Sequence, residues 1–135
     1  MSRFAHAGAH SAHDRVGSAP QRQRFLRETG DAAQFTDEGY FGLPAFPLET
    51  VVDPTGAGDC FAGGLVGYVG AHHDDPIDHE LLCRAMAYGT ALASFNVEEF
   101  GVERMMRLTS DEISERVAEL QRITRFVEKP IALRG

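Results

Sequence analysis

Apolar residues recur at spacings of three and four in three parts of the chain, and this period predicts helices. The first helix is predicted over residues 60–71, the second over about 78–95, and the third begins at Thr109. Thr109 is a typical N-cap, since its hydroxyl can accept from a backbone N–H while Glu112 reaches back to the start of the helix. The helices therefore follow one another from about residue 60 onward.

Residues 35–52 have a different pattern, in which apolar residues are interrupted by glycine and proline. This stretch predicts two short strands and a connection that leads to Asp53. Residues 1–34 contain five arginines and few apolar residues, without a clear helical or strand period, so we interpret them as a largely disordered or aberrant tail. Residues 129–135 are expected to form a flexible C-terminal tail.

Composition and charge exclude several classes of function. A chain of 135 residues is long enough for one domain with a hydrophobic core. Its net charge of −7 argues against a nonspecific nucleic-acid binder, which needs clustered Lys and Arg. No apolar stretch reaches the length of about 18 residues that a membrane span requires. With only Cys60 and Cys83, the sequence indicates neither a disulfide scaffold nor a zinc site, and a cytoplasmic location is expected.

The most specific feature of the sequence is the glycine-rich segment DPTGAGDCFAGG at residues 53–64. Gly56, Ala57 and Gly58 have almost no side chain, so their N–H groups can converge at the N-terminus of the first helix, where the helix dipole favours an anion. Such a site suits a nucleotide phosphate. Asp59 is unfavourable beside an anion unless it accepts a proton from a hydroxyl that attacks the phosphate. The alternative is a strand-to-helix turn that packs closely for reasons of the fold alone.

This segment resembles the C-terminal signature of the PfkB (ribokinase-like) carbohydrate and nucleoside kinases, whose pattern is roughly D-T-x-G-A-G-D-x-F-x-G-G. The matching residues are Asp53, Gly56, Ala57, Gly58, Asp59, Phe61, Gly63 and Gly64. The flanking sequence is also similar, so that residues 35–128 correspond to the C-terminal portion of the kinase domain. The resemblance implies an α/β fold, namely the C-terminal part of a ribokinase-like three-layer α/β/α sandwich with an irregular N-terminal tail.

The resemblance also implies a reaction in which ATP, held with Mg²⁺, phosphorylates a hydroxyl of a sugar or nucleoside. Asp59 matches the catalytic base, and residues 56–58 match the anion hole. Asp53 and Thr55 match positions that hold the turn and, in many members, an adjacent K⁺ ion. Direct ligation of the metal by side chains of this segment is not expected, because the magnesium-organising residues of the family lie upstream.

Small residues of the second helix could leave room for a flat adenine ring, and Ala87, Gly89 and Ala93 are the candidates. Ordinary helix packing is the alternative for each of them. Three glycines of the first helix, Gly63, Gly64 and Gly67, are expected to allow a close approach of a strand or a ligand.

Members of the family are much longer than this sequence, so we expect a truncated chain that lacks an N-terminal half or that forms a homo-oligomer. Two functions stay open. The first is a kinase that binds ATP and a small-molecule sugar or nucleoside, with neither nucleic acid nor membrane as a partner. The second is a catalytically inactive fragment that at most binds nucleotide or packs on a partner.

Overall fold

The computed structural model describes residues 2–6, 23–28 and 31–133. They form a small sheet followed by a group of helices. The strands are β1 (Ser2–His6), β2 (Gln23–Glu28), β3 (Asp31–Thr36) and β4 (Gly39–Leu43), and the helices are α1 (Ala57–Ala71), α2 (His79–Asn96), α3 (Glu103–Met106) and α4 (Ser110–Thr124).

The sheet has the order β1-β2-β3-β4. Its first two strands are parallel, with Phe4 opposite Phe25, and the other two pairs are antiparallel. A short turn joins β3 to β4, and the backbone N–H of Glu38 donates to Oγ1 of Thr36 at 3.2 Å within it. The hairpin brings Ala32 opposite Leu43, and both side chains belong to the hydrophobic core.

The predicted tail over residues 1–34 lies partly outside the described residues. Within it the structure describes β1, β2 and the first four residues of β3, so these segments are strands and β3 begins before residue 35. Strands pair through hydrogen bonds between backbone N–H and C=O groups, so a segment with few apolar residues can also form a strand. The burial of side chains in β3 is also unusual for a strand, because the polar Gln34 is 0% exposed whereas the apolar Phe35 is 41% exposed.

The helices pack around α2, which contacts α1, α3, α4 and both β3 and β4. Phe61 and Leu65 of α1 meet Leu82 and Met86 of α2 in the core, and Leu120 of α4 completes it. The predicted apolar face of the first helix is confirmed, with Tyr68 and Val69 packed against the same cluster. None of the described helices is long and apolar enough to cross a membrane.

The helix boundaries lie close to the predicted ones. The first helix begins at Ala57, before the expected residue 60, and Asp78 caps α2 by accepting from the N–H of Leu81 at 2.8 Å. The predicted capping box of α4 is confirmed, since Thr109 and Glu112 each accept from the other's backbone N–H. Residues 125–133 form neither helix nor strand and are exposed, while flexibility of the predicted C-terminal tail stays a prediction.

Candidate functional site

The glycine-rich segment forms a tight turn that leads directly into α1. Gly56 is the N-cap of this helix and has φ 83° and ψ −4°, in the left-handed region that glycine adopts without steric cost. The N–H of Ala57 donates to the carbonyl oxygen of Pro54 at 3.3 Å, which closes a four-residue turn. These angles are those of the third residue of a type II turn, for which φ is about +80° and ψ about 0°.

The C-terminal end of α2 holds this turn in place. Val97 accepts from the backbone N–H groups of Val52, at 2.8 Å, and Asp53, at 3.2 Å. The side-chain Nδ2 of Asn96 donates to the carbonyl oxygen of Thr55 at 2.8 Å. The turn is therefore fixed on the end of α2 by two backbone hydrogen bonds and one side-chain hydrogen bond, and the residues Asn96 and Val97 that hold it are buried.

Asp53 stabilises the turn from within. Its Oδ1 accepts from the backbone N–H of Thr55 at 2.9 Å. This hydrogen bond is the main reason why the pKa of Asp53 lies below its ordinary value, and the carboxylate is therefore ionised at neutral pH. Asp53 and Thr55, both predicted to hold the turn, are thus bonded to each other.

The first turn of α1 presents backbone donors beside a carboxylate. Of the three predicted anion-hole residues, Ala57 already donates to Pro54. For the N–H groups of Gly56, Gly58 and Asp59, the described residues provide no acceptor. The Asp59 side chain is exposed and has no ion-pair partner within that same part of the chain. The arrangement combines unpaired donors, the positive end of a helix dipole and an exposed carboxylate that can accept a proton.

The adenine candidates lie in the packed region of α2. Ala93 belongs to the core cluster, and Ala87 packs against it. A Cβ atom on Gly89 would lie 2.6 Å from the carbonyl oxygen of Phe61, so this position is filled by α1. Helix packing accounts for all three small residues, and the described contacts favour that alternative over an adenine wall.

The glycines of α1 divide into two groups. A Cβ on Gly64 would come within 2.7 Å of Leu92 and 2.9 Å of Gly89, so a close approach occurs there, but the neighbour is the helix α2 and not the expected strand or ligand. Around Gly63 and Gly67, in contrast, the described residues place no atom within 4 Å of such a Cβ. Close packing therefore requires glycine at residue 64, whereas the close approach expected at residues 63 and 67 has no counterpart in the described part of the chain.

The sequence did not indicate Asn96, Arg104 or Arg116 as residues that support the site. Glu98 pairs with both Arg104, at 3.2 Å, and Arg116, and the guanidinium group of Arg116 lies 3.6 Å from the centre of the Phe95 ring. This network attaches α3 and α4 to the end of α2 that holds the turn. Glu98 is 6 residues from Arg104 and 18 from Arg116, so neither pair has the spacing of three or four that indicates an ion pair within one helix.

A glycine turn held in this way at a helix N-terminus, with N–H groups that have no acceptor among the described residues, is the arrangement of anion-binding turns in α/β proteins. A model of the pfkB family carbohydrate kinases matches residues 22–108 of the chain. The chain belongs to the pfkB family of carbohydrate kinases, and its α/β fold is that of the ribokinase-like kinases. The match begins at residue 22, immediately before β2 and upstream of the expected boundary at residue 35.

Solved structures give the same relationship. Aminoimidazole riboside kinase from Salmonella enterica, complexed with aminoimidazole riboside and an ATP analog, is 31% identical over 72% of this chain, with a TM-score of 0.57. A nucleoside kinase from Methanocaldococcus jannaschii, an archaeal member of the ribokinase family, is 26% identical over 72% of this chain, also with a TM-score of 0.57. The fructokinase from Vibrio cholerae, 18% identical over 70% of this chain with a TM-score of 0.59, shares the fold.

The chain spans 31% of the Salmonella kinase and 30% of each of the other two. No match was found among curated protein sequences.

Proposed function

We propose that this chain carries the nucleotide-phosphate site and the catalytic base of an ATP-dependent kinase that phosphorylates a hydroxyl of a sugar or nucleoside. One observation carries the proposal. At the start of α1, the N–H groups of Gly56 and Gly58 have no acceptor within the described part of the chain, and the exposed carboxylate of Asp59 lies beside them. The Salmonella relative, solved with a riboside and an ATP analog, supports the same substrate classes.

In this proposal the backbone donors bind the phosphates of ATP. Negative charge develops on the transferring phosphoryl group, and donors that are already oriented stabilise it without reorganisation. Loss of a single donor of this kind typically costs about 3–4 kcal/mol of barrier. The turn meets this requirement because hydrogen bonds with the buried Asn96 and Val97 and within the turn to Asp53 hold it in place.

Asp59 is the proposed general base. The acceptor hydroxyl oxygen forms a bond to the γ-phosphorus as the bond between that phosphorus and the bridging oxygen of ADP breaks, and the hydroxyl proton passes to the Asp59 carboxylate. ADP leaves with the electron pair of the broken bond. An exposed carboxylate in the first turn of the helix is suited to this role, because it lies next to the donors that hold the phosphate.

Magnesium would neutralise the phosphate charge, as it does in kinases generally. The described residues contain no group of three or more His, Cys, Asp or Glu side chains that could hold a metal ion. In this proposal the nucleotide phosphates therefore bring the ion, and residues outside this chain complete its coordination.

K⁺ binding beside Asp53 and Thr55 needs a test of its own. The carbonyl oxygen of Thr55, which could bind the ion, already accepts a hydrogen bond from Asn96. Titration of ATP into the protein in KCl and in choline chloride provides this test. A lower affinity in choline chloride would assign K⁺ to the site, and equal affinities would show that the turn binds phosphate without the ion.

The activity belongs, in this proposal, to a protein that includes the portion of the ribokinase-like fold absent from this chain, since the chain spans only 31% of the Salmonella kinase. That portion would hold the acceptor, either as a missing N-terminal half or through a second copy in a homo-oligomer. We propose a cytoplasmic location, where ATP and small phosphorylated metabolites are available.

The test is to express the gene together with the region upstream of it and to assay ATP-dependent phosphorylation of ribose, fructose and a set of nucleosides. We expect ADP to form only when one of these acceptors is present. A second function is nucleotide binding without transfer, and the partial coverage of the relatives favours it. ATP binding by the chain, with phosphorylated product absent for every acceptor and every expressed length, would establish that second function.

A further inference from the structure

Asn96 is hydrogen-bonded to the glycine-rich turn that leads into α1. It is the last residue of α2 and is only 4% exposed. Its Nδ2 donates to the carbonyl oxygen of Thr55 at 2.8 Å, and a Cβ on Gly56 would lie 3.4 Å from the same nitrogen. We propose that Asn96 is a positioning residue that fixes the peptide between Thr55 and Gly56 and thereby aims the Gly56 N–H at the phosphate.

The argument rests on the planarity of the peptide group. The carbonyl of Thr55 and the N–H of Gly56 belong to one trans peptide, so they point in opposite directions. The carbonyl is directed at Asn96, on the interior side of the turn. The N–H of Gly56 is consequently directed away from Asn96, and the described residues provide it with no acceptor.

This peptide is the one that most easily changes orientation. The angles of Gly56 and the hydrogen bond from Ala57 to Pro54 match a type II turn over residues 54–57, and rotation of the central peptide of such a turn by about half a turn gives a type I turn. Glycine at the third position adopts the dihedral angles of both types with little steric cost, so the sequence of the turn does not by itself select one. In the type I form the Gly56 N–H would point towards Asn96 and could not bind the ligand. The hydrogen bond from Asn96 stabilises the type II form.

A ligand-free measurement tests this inference directly. In a type II turn the Hα of Thr55 and the amide hydrogen of Gly56 lie on the same side of the central peptide, which gives a strong nuclear Overhauser effect between them. We expect this effect to be strong in the isotopically labelled chain and clearly weaker in Asn96→Leu, which keeps the volume but removes the donor. Asn96→Asp, which also cannot donate when ionised, should weaken it too and replaces Asn96→Leu if that variant does not fold.

A second measurement uses inorganic tripolyphosphate as the probe. We expect the variants to bind it roughly tenfold more weakly than the wild type, the effect of losing one oriented donor to an anion. Thr90→Val is the control, because Thr90 is a buried residue of the same helix whose hydroxyl has no partner within the described residues. We expect Thr90→Val to change neither the Overhauser effect nor the affinity for tripolyphosphate, whatever its effect on the free energy of unfolding.

The two measurements separate this inference from the proposed function on which it rests. A wild-type chain that does not bind tripolyphosphate would contradict the proposed phosphate site, while the Overhauser effect would still report on Asn96. Unchanged Overhauser effects and affinities in folded Asn96→Leu or Asn96→Asp would overturn the role of Asn96, whatever the activity of the protein.

Discussion

Gly64 of α1 and Gly89 of α2 face each other where the two helices cross. A Cβ on Gly64 would lie 2.9 Å from the Cα of Gly89, and a Cβ on Gly89 would lie 2.6 Å from the carbonyl oxygen of Phe61. Two backbones can approach this closely only where neither residue has a side chain. The pair therefore sets the distance between α1, which carries the donors and Asp59, and α2, which holds the turn.

We predict that Gly64→Ala destabilises the protein by about 1–3 kcal/mol, because the added methyl group has no space and the helices must separate. Gly63→Ala is the matched control. In the described structure no atom lies within 4 Å of its Cβ position, so the higher helix propensity of alanine should make this variant slightly more stable. Urea unfolding followed by circular dichroism measures both. Equal midpoints for Gly64→Ala and the wild type would contradict the proposed constraint.

The helices could be predicted from the sequence because the residues that specify each helix lie close together in the chain. Apolar residues at helical spacing predicted α1, α2 and α4, and the capping box of Thr109 and Glu112 predicted where α4 begins. β3 was placed too late, because Gln34 fills the buried position that an apolar residue normally takes while Phe35 is exposed. The amide nitrogen of Gln34 has a partner in the Nδ1 of His79, at 3.4 Å, while its buried Oε1 has none among the described residues.

The site was predictable only in part. The motif located the turn and α1, but the residues that hold the turn come from the end of α2, and Asn96 lies far along the chain from its partner Thr55. The small residues of α2 were ambiguous for a related reason. A glycine that permits helix packing and a glycine that makes room for a ligand look the same in a sequence, and only the position of Phe61 relative to Gly89 favours packing.

Glu112 should make the stability depend on pH in the acidic range. The N–H of Thr109, followed by the guanidinium of Arg104, lowers the pKa of this carboxyl from 4.5 to about 2. A group whose pKa is lower in the folded state stabilises the fold above its unfolded pKa and loses that contribution as the pH falls. We predict that the melting temperature of the wild type falls between pH 4.5 and about 2 more steeply than that of Glu112→Gln.

The control for this prediction is Glu115→Gln, on the same helix. Glu115 is exposed, and none of the ion pairs of the described residues includes it. Its substitution should leave the steep wild-type dependence unchanged. Parallel curves for Glu112→Gln and the wild type through the acidic range would show that the bonds to Thr109 and Arg104 do not stabilise the folded state.

We expect replacement of Arg116 by lysine to destabilise the folded state. Its guanidinium group lies over Phe95 at 3.6 Å and Phe46 at 4.8 Å, donates to Ser94 at 3.0 Å and pairs with Glu98. Lysine keeps the charge but can neither stack as a plane nor donate in several directions. We expect Arg116→Lys to lower the free energy of unfolding by about 1–2 kcal/mol.

Arg122→Lys provides the comparison, because this arginine is 74% exposed and pairs only with Glu119 at 3.2 Å among the described residues. Such surface pairs contribute about 0–1 kcal/mol, so the change should be small. Urea unfolding of both variants at one ionic strength checks the prediction. If the two substitutions had equal effects, stacking on Phe95 would not stabilise the end of α2.

The last prediction concerns the chemistry assigned to Asp59. Asp59→Asn is nearly isosteric and removes a negative charge beside the proposed phosphate site, so ATP should bind with equal or higher affinity. Phosphoryl transfer should nonetheless fall by about 10²- to 10⁴-fold, because the amide cannot accept the proton of the attacking hydroxyl. Calorimetric titration of ATP and the acceptor-dependent formation of ADP measure the two effects separately, in the protein expressed with its upstream region.

Asp111→Asn is the matched control for Asp59, since Asp111 also lies in the first turn of a helix, far from the glycine turn in the sequence. A general effect of removing an acidic residue from a helix N-terminus would appear in both variants, as a small loss of stability of about 0.3–1 kcal/mol. Loss of transfer should appear only in Asp59→Asn. Turnover near the wild-type value in that variant would leave Asp59 as a residue that merely stabilises the helix N-terminus, because a general base cannot be replaced by an amide without a large loss of rate.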